Sequence, residues 1–453
     1  MPHNSAAGSP AALFRSTNQH MNAHPSNQNN SRGTILIITQ VYVPDPASVG
    51  QHMHDAAEEL VHRGYRVLVF ASARGYDDPT MKYDLRETRD GVEIRRMPLS
   101  SFGKKSIPLR VLAQLIFLVQ CAARGLFTRN LQGILVSTSP PMASVAALIV
   151  RFFRRVPLVY WVMDLNPDQM VELGKLKPSS PIVKLFDTFN RYILRRAKAV
   201  VALDRFMADR LNKKLDINAK LDIMPPWPHD DALEVVPHET NPFRQEHHLG
   251  SGESGKFVVM YSGNHGFSTP VLTVLQAAVK MQHNDQLRFF FIGGGVGKKD
   301  VKDTIAQHKP TNITDLPYQP FDRIKYSLSA ADVHLVSVGD DVVGVVHPCK
   351  VYGAMAVARP ILLLGPDPCH VSDLIRDHRI GWTITHNDID GAIKTIEEII
   401  ATPREELVAM GQRAKKVIDD QLSMKALRGR FCDVVERAIP GRRTQPSPQT
   451  SNS

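Results

Sequence analysis

Lys350 is the residue of this chain whose position most needs a chemical explanation. It ends the segment Ser337-Val-Gly-Asp-Asp-Val-Val-Gly-Val-Val-His-Pro-Cys-Lys350 and opens the helical run Val351-Tyr-Gly-Ala-Met-Ala356. A cation at a helix start opposes the helix dipole unless an anion is bound there. Lys350 is therefore a candidate ligand for a diphosphate. The plainer alternative is an exposed lysine tolerated at a cost of about a few tenths of a kcal/mol.

Four other loops carry residue types that could do chemistry. Met163-Asp-Leu-Asn-Pro-Asp168 places carboxylates at i and i+4 directly after an apolar run. Asp164 there suits a general base or a ligand for substrate hydroxyls, whereas Asp168 also fits an Asn-Pro turn that caps the next segment. Ser262-Gly263-Asn264-His265-Gly266 could cradle a phosphate with backbone N–H groups, or be an ordinary strand-to-helix loop. Gly50, at a helix start, would let a ligand approach the backbone, or would serve a tight turn. Phe289-Phe-Phe-Ile-Gly293-Gly-Gly295, followed by Lys298 and Lys299, reads as half of a dinucleotide fingerprint. No acidic residue is expected to end the next strand as a ribose contact, which argues against NAD.

These loops must be held by strands, and the chain alternates strand and helix throughout. Thr34–Thr39 is a continuous apolar run, as a strand buried on both faces requires. Ser48 is expected to cap a helix from Gly50 to Arg63, closed by Gly64. Strands follow over 66–70, 91–97, 133–137, 157–162, 199–203 and 221–224, with helices near 108–128 and 142–154, and one from Pro181 to Arg196. A proline-rich stretch over 225–255 breaks the rhythm. It then restarts with strands over 257–261, 287–292, 312–316, 333–338, 360–364 and 382–385, and one or two long helices over 388–438. The expected fold class is α/β, with two doubly wound, Rossmann-like domains facing across a cleft. The divisions are a disordered tail over 1–33, an N-terminal domain over 34–224, a linker over 225–255 and a C-terminal domain over 256–403. Helices over 404–440 are placed to pack back on the N-terminal domain, and a second disordered tail covers 441–453. Open α/β sheets bind ligands beyond the carboxyl ends of their strands, which selects the loops named above.

Composition narrows the function classes. Hydrophobic residues at 43% and charged residues at 22% are globular proportions, so a fibrous or disordered chain is excluded. Four cysteines without a CxxC pair exclude a zinc finger and a disulfide scaffold and favour a reducing compartment. No metal site and no cofactor is expected. The polar start lacks the apolar core of a signal peptide, and no apolar stretch is long enough for a spanning helix. The net charge is +10, and between Glu93 and Asp164 there is no acidic residue but ten basic ones. That interval is also apolar, so it suits an anionic membrane surface, or else core helices with solvated basic ends. Nucleic acid is disfavoured, because aromatics do not interleave with the basic residues.

Taken together these segments resemble the family-four glycosyltransferases of the GT-B fold. The resemblance rests on Ile35 to Gly64 with its Tyr42-Val-Pro-Asp-Pro loop, and on Tyr261-Ser-Gly-Asn-His-Gly266. Leu316-Pro-Tyr-Gln-Pro320, Ala330-Ala-Asp-Val-His-Leu335, His347-Pro-Cys-Lys-Val-Tyr-Gly353 and Arg359-Pro360 resemble the bacterial exopolysaccharide and O-antigen (colanic-acid-type) branch, as does Asp164-Leu-Asn-Pro-Asp168. The resemblance spans roughly 34–435. It implies a retaining transfer of sugar from a nucleoside diphosphate sugar, UDP- or GDP-linked, to a hydroxyl of a polyprenyl-diphosphate-linked acceptor. The protein would be cytoplasmic, at the inner face of the membrane. In this reading Lys350 and the backbone of Gly263, Asn264, His265 and Gly266 bind the diphosphate, aided by Gly50 and Gly293. Gly344, Val345 and Val346 line the donor sugar, and Pro317, Tyr318 and Gln319 line the base. Asp164 holds the acceptor or takes its proton, with Asp168 beside it. Many members carry two glutamates where Val345 and Gly353 stand here. Their absence keeps two rivals open: a catalytically silent nucleotide-sugar-binding protein and a GT-B sugar-nucleotide epimerase.

Overall fold

A computed structural model describes residues 31–441 apart from positions 46, 76–79, 99, 101–106, 141, 230–232 and 253. The expected tails lie almost wholly outside the described residues, as do Lys104 and Lys105 of the basic interval.

The first half runs β1 (Thr34–Ile38), α1 (Ser48–His62), β2 (Arg66–Ser72), β3 (Arg86–Arg89), β4 (Val92–Met97), α2 (Ile107–Leu126), β5 (Leu131–Ser137), α3 (Ala143–Arg154), β6 (Leu158–Trp161), α4 (Asp168–Glu172), α5 (Pro181–Arg196), β7 (Ala199–Ala202), α6 (Arg205–Lys214) and β8 (Leu221–Ile223). A short helix, α7 (Pro242–Glu246), precedes the second half. There follow β9 (Phe257–Ser262), α8 (Leu272–Lys280), β10 (Leu287–Ile292), α9 (Lys298–His308), β11 (Ile313–Leu316), α10 (Ile324–Ser329), β12 (Val333–Ser337), α11 (Lys350–Ala356), β13 (Ile361–Leu364), α12 (His370–His378), β14 (Gly381–Ile384), α13 (Ile389–Ala401), α14 (Arg404–Val417) and α15 (Met424–Ala438).

Two separate sheets form. The first has the order β3-β4-β2-β1-β5-β6-β7-β8, the second β11-β10-β9-β12-β13-β14. Every pairing is parallel except the β3–β4 hairpin at the first sheet's edge. The apolar runs explain this: all five residues of β1 and all four of β13 are buried, as a sheet covered on both faces demands. The second sheet is the doubly wound order 3-2-1-4-5-6, whose direction reverses between β9 and β12. Right-handed crossovers place α2, α3, α5 and α6 on one face of the first sheet and α1 on the other.

Local departures from the expectations have physical causes. The helix of the first loop begins at Ser48 itself, with Ala47 as its cap, because the Ser48 hydroxyl turns to His52 Nδ1 at 3.1 Å. The polar hairpin strand β3 has no apolar run to mark it. The segment expected as one or two helices over 388–438 forms three, the last two joined through Ile418–Leu422.

The proline-rich connector is docked rather than free. Trp227 is buried against Trp161, ring centroids 5.4 Å apart, and its indole N–H donates to Asp55 in α1 at 2.8 Å. Phe243, capped into α7 by Asn241, belongs to the second half's core. The chain finally returns to the first half. In α15, Phe431 packs 4.2 Å from the Trp161 ring, and Asp433 and Glu436 pair with Arg63 at 2.6 and 2.7 Å.

Candidate functional site

The loops that follow β9 and β12 meet where the second sheet reverses direction. Gly339 N–H donates to the Ser268 carbonyl at 2.9 Å, and the Ser337 hydroxyl donates to the Pro270 carbonyl. Between them and the start of α11 lies a cavity of about 190 Å³ walled by Asn264, Gly266, Val346, His347, Cys349 and Lys350, among others.

Lys350 is the first residue of α11, whose other residues are all buried, so its backbone is firmly held. Its side chain runs under the β9 loop. Gly263 has φ +131°, and a Cβ there would lie 2.7 Å from Lys350 Cε, so the missing side chain is what admits the lysine. The ammonium stands 5.4 Å from the Tyr261 ring centroid. Among the described residues no carboxylate pairs with it, and burial brings its pKa down to about 8. The cleft wall therefore holds a cation whose desolvation no carboxylate among the described residues offsets.

Cys349 opens to the cleft, yet protein atoms crowd its thiol and push it up to about 11. The charge of Lys350 opposes that rise, and the negative charge of Asp164 adds to it. Asp164 is itself raised above the usual carboxylate range by burial. It follows β6, where the Thr138 hydroxyl accepts from both Met163 N–H (3.1 Å) and Asp164 N–H (3.0 Å). Leu165 N–H donates to the Val345 carbonyl at 3.2 Å and joins this loop to the other half.

A buried polar chain braces the cavity. His347 Nδ1 meets the Asp204 carboxylate at 2.8 Å, His347 Nε2 meets the Tyr352 hydroxyl at 2.7 Å, and that hydroxyl meets His370 Nε2 at 2.9 Å. Since the carboxylate only accepts, the chain is satisfied throughout if each group donates toward Asp204. Burial raises the Asp204 carboxyl, but the His347 hydrogen bond and charge outweigh it and leave it lowered. Burial pulls His370 down to about 3. Asp204 also caps α6, accepting from Met207 N–H. Sequence reasoning missed Thr138, Asp204, Tyr352 and His370.

A parallel two-sheet architecture with a cation in the interdomain cleft can be compared with known proteins. Residues 48–227 match the glycosyl transferase 4-like domain, and residues 244–417 match glycosyl transferases group 1. The chain belongs to the GT-B glycosyltransferases. A curated relative, a probable glycosyltransferase WbjE of Pseudomonas aeruginosa, is 25% identical over 371 residues, covering 81% of this chain and 89% of that one. Two solved structures share the fold. Sucrose-phosphate synthase of Thermosynechococcus elongatus has a TM-score of 0.70 at 13% identity, covering 89% of this chain and 98% of that chain. HepE of Anabaena, in complex with UDP-glucose, has a TM-score of 0.66 at 14% identity, covering 89% and 100%.

In this glycosyltransferase the residues singled out from sequence separate into two groups. Lys350, Asn264, Gly266 and Val346 share the cavity wall; Asp164 does not line it but is near enough for its charge to act on the Cys349 thiol. The rest serve its construction or lie outside it. His265 is fully buried against Tyr261, ring centroids 4.4 Å apart, so its imidazole cannot reach a ligand in the cavity. Burial brings it down to about 4. Gly293 has φ +125°, and a Cβ there would sit 2.0 Å from the Gly263 carbonyl, so it permits loop-on-loop packing. Gly50 abuts the Tyr42 backbone, where a Cβ would come within 3.0 Å. Gly344 presses on the Phe206 carbonyl across the domain contact, and Val345 is completely buried beside it. Pro317, Tyr318 and Gln319 follow β11, with Tyr318 exposed beside Gly294 and outside this cavity. Asp168 opens α4 and pairs with Lys214 at 3.0 Å.

The glycine triplet is explained differently from its fingerprint appearance. The strand after it does carry an acid, Asp315, one residue before its end. Lys298 pairs with Asp315 and donates to the Phe291 and Leu316 carbonyls at 2.6 and 2.9 Å. This lysine stitches β10 to β11.

Proposed function

We propose that this glycosyltransferase moves a sugar, with retention, from a nucleoside diphosphate sugar (UDP- or GDP-linked) to a hydroxyl of a polyprenyl-diphosphate-linked glycan in the synthesis of an exopolysaccharide or O-antigen. The observation that carries the reading is Lys350, a cation with no carboxylate partner among the described residues, beside Gly263, Asn264 and Gly266 at the sheet's reversal point. Such a cation favours the diphosphate most as the bond from sugar C1 to the phosphate oxygen breaks and negative charge grows on the leaving group. The new bond forms from C1 to the acceptor oxygen, whose proton passes to the Asp164 carboxylate. Val346 borders the sugar, and the base extends toward Pro317, Tyr318 and Gln319. The WbjE relative and the UDP-glucose complex of HepE support donor and reaction class. In this reading the reaction takes place in the cytoplasm, at the inner face of the membrane, where a lipid-linked acceptor would be met. Among the described residues no helix is long and apolar enough to cross a membrane.

The test is incubation of the purified protein with radiolabelled nucleotide sugars and a lipid extract. Donor-dependent label in the lipid fraction, lost in Lys350→Ala, is the expected result. Conversion of the free nucleotide sugar to an epimer, or binding without turnover across the donors, would overturn the reading.

A further inference from the structure

The outer face of α2, α3 and α5 is the least explained surface of the molecule. Many of its exposed positions are apolar where a solvated helix would be polar, although α5 also exposes Lys184, Arg191, Arg195 and Arg196. In α2 the outward stripe is Leu112, Leu115 and Val119, the last 68% exposed, and it continues into Phe127 at 85%. In α3 it is Ile149, Phe152 and Phe153, the two phenylalanines 68% and 66% exposed and edge-to-face at 5.2 Å. In α5 it is Ile182, Leu185 and Tyr192. Isolated exposed apolar residues are ordinary, but a patch spanning three adjacent helices is not. Arg154, at the end of α3, donates to the Leu126 and Thr128 carbonyls, the latter at 2.9 Å, and so ties the segment that carries Phe127 to α3.

Beside these rings is a cavity of about 500 Å³ lined by Arg151, Phe152, Arg155, Arg195, Arg196 and Lys198, with no acidic side chain among its described walls. A second, of about 310 Å³, sets Phe127 beside Arg86, Arg95 and Arg124. Rings that project outward, next to basic cavities wide enough for a phosphate, match a surface that is apolar within and anionic at its rim.

The geometry points to this face as a docking surface for an anionic phospholipid bilayer, with Phe127, Phe152 and Phe153 entering the acyl boundary and the arginines of the two cavities holding headgroup phosphates. It extends the lipid-acceptor reading, but its test does not use that reading. A second copy of the chain is the other natural cover for apolar helices. The arginine-lined cavities argue against it, because a self-complementary contact would bring like charges together.

The experiment is flotation of the full chain with vesicles of phosphatidylcholine alone or with phosphatidylglycerol, at low and high salt. Binding only to the phosphatidylglycerol vesicles, weakened by salt, is expected. Arg195→Ala/Arg196→Ala changes two exposed side chains outside the core. It should weaken binding by on the order of thirtyfold, at about 1 kcal/mol per basic residue. Phe152→Ser/Phe153→Ser should abolish it. Both variants should keep wild-type thermal midpoints and the same midpoint shift with UDP, which separates a failure here from a failure of the donor site. Equal binding to neutral and anionic vesicles, wild-type binding by either variant, or a dimer that Phe152→Ser/Phe153→Ser dissolves would overturn the proposal.

Discussion

Lys298 and Lys350 stand in the same domain, each at the start of a helix after a glycine-bearing loop, and they do opposite things. Lys298 lies beside the conspicuous triplet Gly293-Gly-Gly295, yet it is fully employed by Asp315 and two carbonyls. Lys350 lies beside a single accommodating glycine, and among the described residues no acid answers it. Burial lowers both, but only for Lys298 does a carboxylate oppose the drop. A buried cation with a partner belongs to the scaffold. One with no carboxylate partner among the described residues, open to a cavity, is the candidate anion site on which the proposed function rests.

The sharpest way to break this contrast is to remove each amine. Lys350→Ala should lower kcat/KM for a nucleotide-sugar donor by about a hundredfold to a thousandfold, the scale of one lost preorganised contact to a leaving group. It should leave the urea midpoint unchanged or higher, because no ion pair is broken. Lys298→Ala should do the reverse. Stranding Asp315 should cost about 3 kcal/mol of unfolding free energy, read as a lower urea midpoint, with donor KM near wild type in the folded fraction. If the two variants exchange these signatures, the roles assigned here are wrong.

Gly263→Ala tests the geometry rather than the charge. The new carbon would meet Lys350 Cε at 2.7 Å on a backbone of φ +131°. Donor KM should rise about tenfold through displacement of the amine, together with a stability loss of about 1–3 kcal/mol from the strained φ. An unchanged KM would show that the lysine's exact placement is unimportant.

The smallest effect is in pH. With the folded-state pKa at about 8 and the ordinary lysine value at 10.5, the unfolded chain holds more of this proton between those limits. This site therefore makes stability rise with pH across that window. Compared with Lys350→Met, the wild-type urea midpoint should gain ground from pH 8 to 10. A bound diphosphate favours the protonated amine, so UDP affinity by calorimetry should fall several-fold between pH 7 and 9 in the wild type and stay flat in Lys350→Met.

Much of the fold was legible because parallel strands buried on both faces must be apolar runs, and those runs stand out: Ile35 to Ile38, Phe289 to Ile292 and Ile361 to Leu364 are all buried strand. The site was legible only in part. Lys350 could be read from the conflict between its charge and its helix position, a local property. For His265 the expectation concerned the backbone, whose N–H donates to the Gly294 carbonyl at 2.7 Å in the structure while the imidazole turns against Tyr261; nothing local announces that loop contact. Asp204 was out of reach for another reason: it meets His347 across 143 residues, and no spacing rule operates over that distance.

The amino-acid order alone determined the two-sheet α/β plan, the loops that could hold a ligand and the excess of positive charge in the first half, because periodicity, helix dipoles and charge counts are local or additive. The tertiary structure decided which polar groups are already partnered. Whether an amine meets a carboxylate or an open cavity depends on packing between segments far apart in the chain. That packing made Lys298 a brace, left Lys350 with no carboxylate among the described residues, and set exposed phenylalanines beside arginine-lined cavities.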